Sequence, residues 1–326
     1  MRRRAAILAA GLTVVALLVL GAGLGAYNGY LAMTWDSSVT TITDPDLAAQ
    51  LGEPTETASS GESSAVDILI IGGEHTQNDT GAADGRGLDA GLVMLAHIPA
   101  DRSGVQLVSI PEDASVSVPG GGQDTINAAV SLGPPMAVRA VSNLLGTGID
   151  HVVLVDLAML DAVAELLGGI EVESTVAFES AGHSFTSGPN LLDSSSALAF
   201  FSGDRTLSPQ RFLNRQEFIR AAGSQLVSTG HLSDPLKITA AIRQVSPYLS
   251  VDSGFDASTL VGLSSQLRAI GEDDIDFITL PTAHGEATVD DGGRLRADTY
   301  DVEELKRSIA ADSVGDFAAE VTVRPR

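Results

Sequence analysis

Asp67-Ile68-Leu69-Ile70-Ile71-Gly72-Gly73-Glu74 is the stretch on which the fold turns. Its apolar residues run without alternation and stop at two glycines. A second such run, Leu92 to Ile98, stops at Pro99, and a third, Val105 to Ile110, stops at Pro111-Glu112-Asp113. Apolar runs this short, bounded by Gly and Pro, read as strands buried on both faces, hence as a sheet covered by helices. Ligands in such sheets tend to sit beyond the strand ends, so Glu74, Asp89, Glu112 and Asp113 become the candidate site.

The chain of 326 residues is long enough for one large or two modest domains with a sizeable core. It holds no cysteine, which removes disulfides, thiolate metal sites and cysteine nucleophiles. Its 42 acidic and 19 basic residues give a formal net charge of −23. Non-specific attraction to nucleic acid phosphates is therefore not expected. The lysines are Lys237 and Lys306, and the remaining cations are arginines.

Arg2-Arg3-Arg4 precedes an uncharged run from Ala5 to Ala26. At about 1.5 Å per residue that run spans a hydrocarbon core of roughly 30 Å. The arginines are expected to stay in the cytoplasm, giving one transmembrane helix with the rest of the chain outside. The alternative is a cleaved signal peptide, with small residues from Gly21 to Ala26, but its apolar region usually ends after about 7 to 15 residues. Residues 27–65 read as an extracytoplasmic tether that stays out of the core; from Ser37 to Ala65 they are rich in Ser, Thr, Glu and Gly, and within them Pro45 to Leu51, led by Asp44, reads as helical.

The globular part is expected over 66–326, with a core at 67–222 and an extension of helices and strands at 223–326. The glycine turn Gly120-Gly121-Gly122 lacks the spacing and the lysine of a phosphate loop and reads as a hairpin or loop turn. Pro134-Pro135 opens a helix to Leu145, stopped by Gly146 and Gly148. His151 to Val155 is a strand, Leu157 to Leu167 a helix ending at Gly168-Gly169, and Ile170 to Glu173 a strand again. That succession predicts a βαβ unit and a partly parallel sheet. A short helix to Phe201, helices over 209–228, 235–245 and 256–270, a strand over 275–280, a hairpin at Gly292-Gly293 and a helix over 302–310 follow. No internal repeat is present.

The order of these landmarks resembles the LytR-CpsA-Psr family of cell-envelope proteins over roughly Asp67 to Ala222. The matching pieces are Ile-Leu-Ile-Ile-Gly ending at Gly72, Met-Leu-Ala-His-Ile-Pro-Ala-Asp from Met94, Ser-Ile-Pro-Glu-Asp from Ser109 and Ile-Asn-Ala-Ala from Ile126. They continue with Gly-Ile-Asp-His from Gly148, Leu-Leu-Gly-Gly-Ile-Glu-Val from Leu166, Ser-Ala-Leu-Ala-Phe from Ser196 and Arg-Gln-Glu-Phe-Ile from Arg215. No one piece is specific, whereas eight in order are. The resemblance implies a three-layer α/β/α domain with a mixed, partly parallel central sheet, behind one membrane anchor. It also implies transfer of a glycopolymer, with a phosphate, from a polyprenyl pyrophosphate carrier to peptidoglycan or another wall acceptor.

In the family, arginines clamp the pyrophosphate and carboxylates hold Mg²⁺, which suits phosphoryl transfer. Carried over by position, Glu74 and Asp89 are the metal candidates and Asp113 and Arg215 the catalytic ones. Asn127, Arg205, Arg211 and Gln216 are the binding candidates. The chain departs from the pattern at its cations. The family's Arg-x-Asp falls on Asp89-Ala90-Gly91, the arginine after Ser-Ile-Pro is Glu112, and further arginines fall on Ser202, Asp204 and Phe212. Arg86, Arg205 and Arg211 lie within three residues of lost positions.

Losing one partner of a buried hydrogen-bonded charge pair costs roughly 2 to 5 kcal/mol. Several such losses offset much of a micromolar affinity, worth about 8 kcal/mol. Two functions follow: an envelope glycopolymer transferase with a rearranged clamp, or a non-catalytic module binding a lipid-linked polymer or a partner protein at the membrane. A DNA-binding regulator is opposed by topology and acidity. No Gly-x-Ser-x-Gly elbow and no His-x-x-x-His pair occurs, so neither a serine hydrolase nor a zinc site is indicated. His97 and His151, between apolar neighbours, read as satisfied core or rim residues, and Asp113 and Arg215 have the plain alternatives of turn residue and ion-pair partner.

Overall fold

The computed structural model describes residues 33–51, 64–75, 85–118, 120–203, 208–229, 235–267, 270, 274–281, 289–290 and 292–323. In chain order the strands are Thr40–Ile42 (β1), Val66–His75 (β2), Leu88–Ile98 (β3), Val105–Ile110 (β4), and the hairpin Ser115–Val118 (β5) with Gly122–Thr125 (β6). Then follow His151–Asp156 (β7), Ile170–Ser174 (β8), Phe178–Ser180 (β9), His183–Phe185 (β10), Gly188–Leu192 (β11), Leu249–Asp252 (β12) and Ile275–Thr279 (β13). The chain divides into two units, residues 40–155, 250–255 and 274–326 in one and the remainder in the other.

The first unit holds a seven-stranded sheet in the order β1-β12-β7-β2-β3-β4-β13. The strand segments 68–71, 93–96, 107–110 and 152–155 thus lie side by side, as their apolar runs predict. The sheet is mixed: β2, β3 and β4 run antiparallel, while β4 with β13 and β1 with β12 run parallel. Leu69, Ile71, Val93, Leu95, Val108 and Ile110 point into one core with the helices Ile126–Ser131, Pro134–Leu145, Thr299–Ala310 and Val314–Val323. Residues of the opposite parity, Ile68, Ile70, Met94, Ala96 and Leu107, are equally buried.

Local chemistry sets the helix ends. Thr125 accepts a hydrogen bond from Ala128 N–H at 3.1 Å and starts the helix Ile126–Ser131. Gly146, in left-handed backbone at φ 68°, ends the helix Pro134–Leu145 where a side chain would be strained. The hairpin at Gly120–Gly122 forms as expected.

The second unit is built from the helices Met159–Leu167, Ala197–Ser202, Ser208–Ser228, Pro235–Val245 and Ala257–Gln266, with the two-stranded pairs β8–β11 and β9–β10. Its core combines aliphatic side chains with a cluster of phenylalanines. Phe178 stacks on Phe185 at 4.8 Å between centroids, and Phe185 meets Phe200 edge-on at 5.3 Å.

Three expectations are corrected. The first strand does not end at Gly72: it continues to His75 through a register shift between Gly72 and Gly73, and the second begins at Leu88 rather than Leu92. The βαβ unit is not formed, because β8 after Gly168-Gly169 pairs with β11 in a separate ribbon. Part of the stretch read as a tether joins the cores. Asp44 caps the helix Pro45–Ala48, Leu47 and Ile42 are buried with the sheet, β1 pairs with β12, and in the other unit Trp35 is buried. Among the described residues no helix is long and apolar enough to cross a membrane. The anchor expected over Ala5 to Ala26, with Arg2 to Arg4, lies outside the described residues.

Candidate functional site

At one end of the sheet the register sets Glu74 of β2 directly opposite Asp89 of β3, and both are exposed. Like charges facing each other on an antiparallel pair are destabilising. The backbone there also needs glycine. A Cβ on Gly73 would lie 2.6 Å from the Asp89 carbonyl oxygen and 2.6 Å from Leu88 Cγ. Between the pairs Gly72–Leu92 and Gly73–Ala90, Gly91 has no partner, so it is the extra residue of a bulge. Gly91 is the position on which the family's aspartate falls by counting back from Met94.

Asn127 ties this end together. Beyond Val93–Ile110 the β3–β4 ladder has no further pairs, which leaves the Ala90 N–H to find another acceptor. Asn127 Oδ1 accepts it at 2.8 Å, which turns the amide so that Nδ2 donates to Asp89 Oδ1 at 2.8 Å. The Asn127 N–H donates to the Glu112 carbonyl at 3.0 Å. One short helix start thus joins the start of β3 to the exit of β4, a connection that needs the register as well as the residue types.

Glu112 and Asp113 are the central residues of the turn closed by Ala114 N–H to the Pro111 carbonyl at 3.0 Å. Glu112 is half-buried and Asp113 exposed, and the Asp113 carbonyl accepts the Leu295 N–H at 2.9 Å. Arg86 belongs to the same unit and is exposed. Its aliphatic stem covers Gly133, where a Cβ would lie 3.2 Å from Arg86 Cγ.

The other candidates lie in the second unit, on the helix Ser208–Ser228. The Arg215 guanidinium stands over the Phe201 ring, 5.5 Å from its centroid, a cation–π contact that orients it. Arg211 packs against Gly203, where a Cβ would lie 3.3 Å from its Cα, Cβ and Cγ. Gln216 is half-buried on the same helix, and Arg205 lies outside the described residues. Sequence reasoning passed over Asn214, which is 1 % exposed, donates to the Phe200 carbonyl at 3.4 Å and accepts from Gln210 at 2.7 Å. A polar residue inside an apolar helical stripe was its signal.

Among the described residues no three His, Cys, Asp or Glu side chains gather as a metal cage. The donor set that is present, carboxylates of Glu74 and Asp89 with only one Asp89 oxygen engaged by Asn127, fits a hard divalent cation. Mg²⁺ is usually held by one or two carboxylates together with substrate phosphates and water.

The LytR_cpsA_psr family profile matches residues 32–310. Among curated proteins, the Bacillus mycoides protein "Polyisoprenyl-teichoic acid--peptidoglycan teichoic acid transferase TagU" is 27 % identical over 252 residues, 75 % of this chain and 80 % of the relative. The Bacillus subtilis protein of the same name is 28 % identical over 249 residues, 75 % of this chain and 77 % of that one. Among solved structures, "LytR-Csp2A-Psr enzyme from Actinomyces oris" superposes with a TM-score of 0.63 at 19 % identity, covering 85 % of this chain and 96 % of that one. The structural likeness establishes the mixed α/β fold.

Proposed function

We propose, because this chain belongs to the LytR_cpsA_psr family, that it moves a glycopolymer from a polyprenyl pyrophosphate carrier to the cell wall, working at the outer face of the membrane behind an N-terminal anchor. The observation that carries the reading is the Glu74–Asp89 pair held opposite each other, with Asn127 fixing Asp89. A like-charge pair costs stability, and a bound cation would offset that cost. Relatives named for moving polyisoprenyl-linked teichoic acid to peptidoglycan supply the substrate class.

In this reading an acceptor hydroxyl attacks the phosphorus nearest the polymer. The P–O bond to the carrier's phosphate breaks, polyprenyl phosphate leaves, and Asp113, exposed on its turn, receives the acceptor's proton. Glu74 and Asp89 would hold Mg²⁺, which supplies neutralisation of pyrophosphate charge. On the helix Ser208–Ser228 of the other unit, Arg211, Arg215 and Gln216 carry donors of the kind that suits phosphate oxygens, as Arg205 does by residue type, and the Arg215 guanidinium stands 5.5 Å from the centroid of the Phe201 ring. Asn127 acts through Asp89 rather than on the carrier.

The second reading, a non-catalytic module that holds a lipid-linked polymer, is favoured by Glu112, an acid at the strand exit where the family carries an arginine. Calorimetry of the detergent-solubilised full chain with a polyprenyl pyrophosphate, with and without Mg²⁺, tests the proposal. Binding that strengthens with Mg²⁺ supports it, and Mg²⁺-independent binding opposes it. Protease added to intact spheroplasts should remove the globular part, and full protection would contradict the outward topology.

A further inference from the structure

The far end of β3 carries a buried histidine that the proposed transfer does not use. His97, 1 % exposed, presents both ring nitrogens to carboxylates: Nδ1 lies 2.7 Å from Asp67 Oδ1 and Nε2 lies 2.9 Å from Asp312 Oδ1. Asp67 faces His97 across the β2–β3 ladder. Asp312 sits between the helices Thr299–Ala310 and Val314–Val323, in left-handed backbone at φ 56°. A residue with a Cβ adopts that conformation at a cost that its side-chain bonds must offset.

The second oxygen of each acid is already an acceptor. Asp67 Oδ2 takes the Thr147 hydroxyl at 2.6 Å, and Asp312 Oδ2 takes the Ala100 N–H at 2.8 Å. That leaves each acid its Oδ1 to meet the ring, and two carboxylate oxygens facing the two ring nitrogens call for two ring donors. A neutral imidazole has one N–H and an imidazolium has two. The geometry therefore fits the charged ring.

We propose that His97 is a proton-operated clasp: doubly protonated, it ties the corner between the two C-terminal helices to the sheet through Asp312, and loss of one ring proton releases that corner. Burial pushes the proton off the ring. Asp67 and then Asp312 hold it on more strongly, so the His97 pKa lies above its ordinary 6.5.

Other groups surround the ring. Asp150, its carboxyl pushed up by burial, accepts the Asp67 N–H at 2.7 Å, and His151 follows it in sequence. Arg102, its affinity lowered by burial, attracts Asp312. On β4 the neighbour of His97 is the uncharged Gln106, and beyond it on β13 is Asp276, also pushed up by burial.

Once the ring is neutral, one nitrogen lone pair faces a carboxylate oxygen at hydrogen-bond distance. Asp67, 8 % exposed at its side chain and held by Thr147, has nowhere to go. Asp312, 32 % exposed at its side chain, turns to water. The sign follows from the raised pKa: the clasp is fully present below pH 6.5 and is lost as pH rises through the folded value.

Hydrogen exchange of the full chain from pH 6 to 9, corrected for intrinsic rates, reads the clasp directly. Protection of the segment 311–323 should fall tenfold or more relative to β3 across that range. Asp312→Asn should abolish the step. Its amide can donate to the unprotonated Nε2 while its oxygen still accepts from Ala100, so a neutral ring is satisfied. His97→Gln should abolish it too, and if that variant does not fold, Asp312→Asn still decides. An unchanged step in Asp312→Asn, or no step in the native chain, overturns the proposal.

Discussion

Asn127→Ala removes the group that closes the end of the sheet, and the structure sets the size of the effect. Ala90, 3 % exposed, would keep a buried N–H with its 2.8 Å acceptor gone. An unsatisfied buried donor costs about 1 to 3 kcal/mol. The second bond, to the exposed carboxylate of Asp89, is screened by water and contributes little to stability, but it holds that carboxylate in place. The loss of stability should therefore be about 2 kcal/mol, roughly thirtyfold in the folding equilibrium. Urea unfolding of the full chain, read by circular dichroism and by hydrogen exchange of β2 and β3, measures it. The same variant should need more Mg²⁺ for half-maximal binding of a polyprenyl pyrophosphate, which a purely structural role would not require. A loss under about 0.5 kcal/mol with unchanged Mg²⁺ dependence would refute the assignment of Asn127 as the residue that orders this end.

Leu47→Ala should cost about 2 to 5 kcal/mol, since the side chain is 1 % exposed in the sheet core, and a neutral result in denaturant would restore the tether reading. Gly73→Ala should separate Glu74 from Asp89, because its Cβ meets the Asp89 carbonyl oxygen at 2.6 Å, and should weaken Mg²⁺-dependent binding more than Mg²⁺-independent binding in calorimetry. Glu112→Arg, which puts a cation at the β4 exit, should strengthen Mg²⁺-dependent binding of a polyprenyl pyrophosphate about tenfold, or roughly 1.4 kcal/mol. Tighter binding by the native chain than by this variant would mean that Glu112 belongs to a differently built clamp.

What the sequence disclosed follows from burial. Ile68 to Ile71, Val93 to Ala96 and Val152 to Val155 are apolar without alternation, and Leu107 to Ile110 is interrupted by Ser109 alone, because both faces are covered, and such runs mark central strands. Thr40–Ile42 and Leu249–Asp252 are short and half polar, and the two form a parallel pair across some two hundred residues, so no local pattern announces them. Gly72-Gly73 reads as a strand end because glycine usually breaks strands, whereas here it lets two backbones approach through a bulge. Gly168-Gly169 suggested a crossover back to the sheet, yet the alternation of Ile170–Ser174, buried and exposed in turn, is that of a ribbon with one covered face. The acids of the candidate site were legible as residue types at strand ends. That Glu74 faces Asp89, and that Asn127 fixes the latter, depends on a register that one extra glycine sets. The His97 clasp depends on Asp312, more than two hundred residues away in sequence, and no spacing rule reaches that far.

Transfer itself tests the account most directly. The full chain, reconstituted in vesicles with a polyprenyl pyrophosphate-linked glycopolymer, Mg²⁺ and peptidoglycan, should leave polymer covalently attached through a phosphate and release polyprenyl phosphate, both read by mass spectrometry. Attachment by the native chain, faster in Glu112→Arg, is the predicted result. Binding of the lipid-linked polymer with no attachment by either form would contradict it and leave a holding module in place of a transferase.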